Sequence, residues 1–236
     1  MSKRLLMFWT TALGMLVSTA GAEQYWITYE GNDFPENEGW NRSWGNDEGQ
    51  YHGDGATRTL ENGVLTMDSL YDLRVYDYAY ITRPGALDPG PGDTFVIEWR
   101  LMVTAVAGDY YDTTFNVSSD GAMQLGFGFF PDHVESTWEE NVTIAIASGE
   151  FHEYRVQSHD MHAYDLYIDG AWAYQGIFCQ RLKTSELAWG NGVSGASSRA
   201  HWDYLRFGVV PEPYSLVMAV ALCACSRGRR NHVYKR

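Results

Sequence analysis

Disulfides, basic charge and helical periodicity are all scarce in this 236-residue chain, and each shortage removes a class of protein. Of three cysteines only Cys179 lies away from the C-terminus, so neither an internal disulfide nor a thiolate metal cluster can be built. Seventeen Lys and Arg stand against thirty Asp and Glu, a formal net charge of −13. Ten of those cations and nearly every acid fall between residues 23 and 208, so the middle of the chain is strongly acidic. Such a surface repels phosphate, which argues against nucleic acid and anionic membranes as partners. No segment there keeps a 3.6-residue apolar period long enough for a helix. A P-loop, a dinucleotide fingerprint and a Ser-His-Asp order are also missing.

What is present is a set of strands and turns. Asn62-Gly63, Asp120-Gly121 and Asp169-Gly170 each sit between runs of β-branched and aromatic residues, the strongest short-range hairpin signal. Ser148-Gly149, between Val142–Ile146 and Phe151–Val156, reads as another. From Phe95 to Val103 the odd positions Phe95, Ile97, Trp99, Leu101 and Val103 are apolar, while Glu98, Arg100 and Thr104 share the other face with Val96 and Met102. From Tyr71 to Ile81, Leu73, Val75, Ala79 and Ile81 fall on one face and Asp72, Arg74, Tyr76, Tyr78 and Tyr80 on the other. Several such strands joined by glycine-rich turns predict an all-β fold, a two-sheet antiparallel β-sandwich, as one domain over residues 23–208.

The two ends read differently. Lys3 and Arg4 precede the apolar stretch Leu5–Val17 and a small-residue site Ala20-Gly21-Ala22, the pattern of a secretory signal peptide over residues 1–22. At the other end Pro211-Glu212-Pro213 leads into the apolar Tyr214–Cys225 and then Arg227, Arg229, Arg230, Lys235 and Arg236. Neither proline donates a backbone N–H, so the triplet marks the end of the folded domain. The apolar run can enter a bilayer with its arginines held on the cytoplasmic side. Residues 209–236 resemble the PEP-CTERM sorting signal that bacterial exosortases recognise. The resemblance implies export to the cell surface or its polysaccharide matrix, an exosortase as partner, and membrane contact only through the C-terminal segment before processing.

Phe151-His-Glu-Tyr-Arg-Val, followed by Tyr164-Asp-Leu-Tyr-Ile-Asp-Gly-Ala-Trp and closed by His201-Trp-Asp-Tyr-Leu-Arg-Phe, resembles the concanavalin A-like lectin/glucanase group, its laminin-G-like jelly rolls above all. The resemblance implies a jelly roll and a carbohydrate-related role. Family 16 glucanases of that group carry their carboxylates on one strand as Glu-x-Asp-x-Glu, since alternate residues face one cleft and a retaining pair sits about 5 Å apart. That pattern is missing, as is the Gln-Ile/Val-His motif of jelly-roll lyases; Glu139-Glu140 point to opposite faces of any strand. The histidines of His159-Asp160-Met161-His162, with His152 upstream, do not converge as zinc requires and read as a polar loop.

No catalytic residue is therefore assigned. A strand face mixing tyrosine with Asp and Arg suits a sugar, whose C–H surface stacks on rings and whose hydroxyls take bidentate polar groups. Asp72, Arg74, Tyr76, Tyr78 and Tyr80, with Glu98 and Arg100, are the expected binding residues for a polysaccharide or glycan. Glu30 and Asp33 follow the first strand and Asp203 lies on the last, so a structural Ca²⁺ is expected where their oxygens meet. Lectin-like binding is the reading adopted, with a polysaccharide hydrolase or lyase and a structural or adhesive spacer as the alternatives.

Overall fold

The computed structural model describes residues 24–42, 57–70, 78–82, 93–108, 110–111, 113–118, 123–139, 142–180, 186–192 and 196–211. Among these the chain forms β1 (Gln24–Tyr29), β2 (Asn41–Arg42), β3 (Thr57–Glu61), β4 (Val64–Asp68), β5 (Tyr78–Thr82) and β6 (Asp93–Ala107). It continues as β7 (Thr113–Ser118), β8 (Met123–Phe129), β9 (His133–Ser136), β10 (Thr143–Ala145) and β11 (His152–Ser158). Then follow β12 (Ala163–Ile168), β13 (Ala171–Ile177), β14 (Cys179–Gln180), β15 (Glu186–Asn191) and β16 (Ser197–Pro211). A single 3₁₀ turn, Pro35–Glu38, is the one helical piece described.

Two antiparallel eight-stranded sheets result, a jelly-roll β-sandwich as expected. The first runs β13-β12-β11-β6-β16-β4-β3, with β1 also on β16. The second runs β10-β9-β8-β7-β15-β5-β2, with β14 on β8. The spine of the first sheet is the pair β6 and β16, each 15 residues long and matched from Ser197↔Ala107 to Pro211↔Asp93. The last strand therefore includes Val209, Val210 and Pro211, beyond the expected limit at Gly208.

Packing follows the alternation. Phe95, Ile97, Trp99 and Leu101 are fully buried between the sheets. Trp99 of the first sheet stacks on Phe115 of the second at 4.4 Å and on its neighbour Tyr154 at 5.4 Å. A second aromatic cluster joins Trp189 to Trp202 at 4.8 Å, to Tyr29 at 5.0 Å and edge-on to Trp40 at 5.6 Å. Such rings bury the largest apolar areas available to a side chain and pack with aliphatic neighbours such as Ile97, Leu101, Val117 and Leu166 in the same core.

Two expected hairpins have the geometry that their turns require. Asn62 and Gly63 sit at φ 54° and 83° between paired β3 and β4, and Asp169 and Gly170 at 53° and 75° between β12 and β13. Both central residues at positive φ are what a two-residue hairpin of this hand demands. Asp120-Gly121 lies outside the described residues, although the strands flanking it, β7 and β8, pair. Ser148-Gly149 is not a hairpin: β10 pairs with β9 in the second sheet and β11 with β6 in the first, so that turn carries the chain between sheets.

The motif from Phe151 to Trp172 is a structural unit. His152 is buried and places Nδ1 2.7 Å from Asp169 Oδ2 and Nε2 2.8 Å from the Ala147 carbonyl. Asp169 also accepts the Glu153 N–H at 3.0 Å, tying the tip of one hairpin to the start of another. His159 meets Thr94 Oγ1 and His162 the Asp160 carbonyl, so these rings face different partners.

Candidate functional site

The outer face of the second sheet is floored by glycine. On β8, Leu125, Phe127 and Phe129 fill the core, which turns Gln124, Gly126 and Gly128 outward. On the neighbouring β7, Phe115 and Val117 face inward and Thr114, Asn116 and Ser118 outward. The register sets Asn116 opposite Gly126, Thr114 opposite Gly128 and Ser118 opposite Gln124.

Rings occupy the room that the missing side chains leave. A Cβ on Gly128 would collide with the ring of Tyr111, and one on Gly126 with Asn116 Oδ1, Thr137 Oγ1 and, at 2.8 Å, Trp138 Nε1. The Thr137 N–H donates to the Gly126 carbonyl at 2.9 Å, which anchors that segment on the sheet. Ser136 Oγ accepts the Glu139 N–H at 3.1 Å and shapes the turn that presents Trp138. Tyr111 packs edge-on to Phe130 at 6.3 Å, and Phe130 stacks on His133 at 4.2 Å. His133 in turn reaches Asp132 at 2.7 Å and Glu135 at 3.4 Å. Burial, helped by the negative charge of Glu135, raises the Tyr111 pKa, so its hydroxyl stays a neutral donor and acceptor.

The polar groups here are mostly amides and hydroxyls. Gln124 Oε1 and Thr137 Oγ1 are buried with no hydrogen-bond partner among the described residues. Glu135 on β9 and Glu186 on β15 bear carboxylates, but their strands lie three spacings, about 14 Å, apart. Paired glycosidase carboxyls stand roughly 5 to 9.5 Å apart. This face can stack a ring and bond its hydroxyls; among its described residues Glu135 and Glu186 do not lie on neighbouring strands.

The residues expected from sequence are distributed otherwise. Asp72, Arg74 and Tyr76 lie outside the described residues, as do Glu212 and Pro213. Tyr78 and Tyr80 lie on β5 of the second sheet, opposite Asn191 and the fully buried Trp189. Glu98 and Arg100 belong to the first sheet, on its outer face. There Glu98 pairs with Arg155 and accepts the Tyr25 hydroxyl at 2.7 Å, while Arg100 pairs with Asp203 and lies 4.6 Å over the Phe151 ring. The expected set is thus divided between two sheets.

Of the expected calcium ligands, Glu30 is held in a fork by Arg206 at 2.8 and 2.7 Å. Asp203 is taken by Arg100, and Asp33 accepts the N–H of Phe34 at 2.7 Å. A hydrogen bond from Asn37, with that from Phe34, holds the Asp33 carboxyl below its usual range. Among the described residues no three His, Cys, Asp or Glu side chains gather closely enough to hold an ion. Pro211 closes β16 opposite Asp93.

The glycine-floored face was not expected. Its signal is the alternation Leu125-Gly-Phe-Gly-Phe129, in which apolar residues mark one buried face and glycines leave the other bare.

No protein-family model and no curated sequence matches the chain. Among solved structures it is similar to a conserved carbohydrate esterase of the Shiga toxin-encoding bacteriophage phi24B, with a TM-score of 0.57 and 13% identity over 81% of this chain and 100% of that one. It is also similar to the cellulose-induced protein Cip1, with a TM-score of 0.50 and 13% identity over 78% of this chain and 97% of that one. At that identity the likeness establishes the fold.

Proposed function

We propose that this protein is an exported, non-catalytic carbohydrate-binding module of the cell surface or its matrix. The observation that carries the reading is the ring of Tyr111 over Gly128 and the indole edge of Trp138 at Gly126, beside Asn116. Rings against C–H faces and amides against hydroxyls are the two contacts that a neutral sugar needs. A carbohydrate esterase among the proteins of like fold supports the ligand class. The wide separation of Glu135 and Glu186 favours binding over hydrolysis. Export rests on the sequence of residues 1–22 and sorting on Pro211-Glu212-Pro213 with the basic tail. Calcium has no part in this reading, because Glu30 and Asp203 already face arginines.

A glycan array probed with the secreted protein tests it. Retention of a neutral oligosaccharide is expected, weakened by roughly 1 to 3 kcal/mol in Tyr111→Ala and in Trp138→Ala, the scale of losing an anchor contact. No released sugar should appear in a reducing-end assay. A blank array, or turnover of a bound glycan, overturns the proposal.

A further inference from the structure

Trp172, one of the largest apolar side chains, stands 61% exposed on β13, an edge strand of the first sheet. The reason is a bulge. Leu166 pairs with Tyr174 but the next residue, Tyr167, pairs with Trp172, so Ala173 is an extra residue on β13. Regular alternation would give Trp172 the face of Tyr174, which packs against the core; the inserted residue moves it to the outer face instead. There the indole is fixed, its Nε1 donating to Asp165 Oδ1 at 3.1 Å. Gln175 Nε2 reaches the same oxygen at 3.5 Å, and Tyr167 stands directly across the strand pair. Asp165 in turn lies opposite Gln157 on β11.

We infer that Trp172, with Tyr167, Asp165 and Gln175, forms a second sugar platform, on the sheet opposite the glycine-floored face. Its ligand is a pyranose ring of a neutral polysaccharide strand, stacked on the indole and bonded by Gln175 and the free oxygen edge of Asp165. The strip beyond it is already charge-compensated by the Arg155–Glu98 pair, and the chain carries a net charge of −13, so a polyanionic strand is disfavoured. Two platforms on opposite sheets would let one molecule join two strands, with avidity from the second contact. The inference shares the ligand class of the reading above but rests on a different strand and different residues.

Native gels cast with laminarin, hydroxyethylcellulose or xylan separate the two. The full chain is run beside Trp172→Ala, Trp172→Phe and Trp138→Ala, with melting as the check on folding. The wild type should be retarded by at least one polysaccharide, Trp172→Ala should bind it about tenfold more weakly with an unchanged melting midpoint, and Trp172→Phe should fall between. Loss in Trp138→Ala with full retention in Trp172→Ala overturns this inference alone, and the reverse overturns the glycine-floored site alone. Absence of wild-type retardation overturns both. Sedimentation as a dimer that Trp172→Ala dissociates would make a second copy the occupant and also overturn the inference.

Discussion

His152 has acceptors at both ring nitrogens, the Asp169 carboxylate and the Ala147 carbonyl, so the doubly protonated ring fits best. Burial opposes that charge, yet the bond to Ala147 and the bond and charge of Asp169 outweigh it and raise the His152 pKa above its ordinary value. A histidine raised on folding stabilises fully below its unfolded value, near 6.5, and loses that contribution as pH rises through the higher folded value. His201 is shifted the other way, by burial and by Arg199, and its contribution fades as pH falls. The two are separated by comparing wild type with His152→Gln. The deficit of the variant should be greatest near pH 5.5, at about 1 to 3 kcal/mol, and shrink on the alkaline side; a pH-independent deficit in thermal melts would show that the ring is not charged. Gly128→Ala makes a different kind of test, since its new methyl meets Tyr111. It should cost about 1 to 3 kcal/mol by overpacking and weaken any glycan bound there. Because arginines occupy Glu30 and Asp203, millimolar Ca²⁺ should leave the melting midpoint unchanged against a chelator control; a rise of several degrees would mean that the ion displaces a guanidinium.

Single strands and tight turns were legible from sequence because their signals are local. The odd positions of Phe95–Val103 are all core, and Asn62-Gly63 and Asp169-Gly170 adopt the backbone that their residue types favour. Ser148-Gly149 has the same kind of signal and a different role, since whether two strands pair or part depends on what else each can pair with. The candidate site was hidden for a related reason. Tyr111, Asn116, Gly128 and Trp138 meet only through the β7–β8 register and a returning segment, and no spacing rule connects them. The bulge at Ala173 is likewise invisible until β12 sets its register against β13. The elements should also differ in persistence. β6 and β16 are paired along their whole length and buried among neighbours, whereas β10 and β13 end their sheets. Native-state amide exchange should therefore be slowest along β6 and β16 and fastest in β10 and β13; equal protection throughout would mean that the sandwich opens only as a unit.

At the scale of the molecule the two proposed surfaces share one electrostatic setting. Thirty acids against seventeen bases give a long-range field that is negative, yet the outer face of the first sheet is a lattice of matched pairs: Glu98 with Arg155, Arg100 with Asp203, Arg206 with Glu30 and Arg199 with Asp68. The pairs of Arg100, Arg206 and Arg199 are part-exposed and contribute little to stability one by one, while Glu98–Arg155 is largely buried; together they leave the face near local neutrality. The second sheet reaches the same end by another route, with amides, hydroxyls and glycines where charged residues commonly stand. Both surfaces are thus suited to uncharged ligands, while the field around them repels anions over about a Debye length, near 10 Å at 0.1 M salt. Two consequences can be measured together. Affinity for a neutral glucan such as laminarin should change less than twofold between 50 and 500 mM NaCl, because stacking and neutral hydrogen bonds are not screened. A polyanion such as alginate should be excluded at low salt and gain affinity, if any, only as salt rises. Strong alginate binding at 50 mM that weakens with added salt would reveal a basic surface outside the two faces and would reassign the ligand from neutral to acidic polysaccharide.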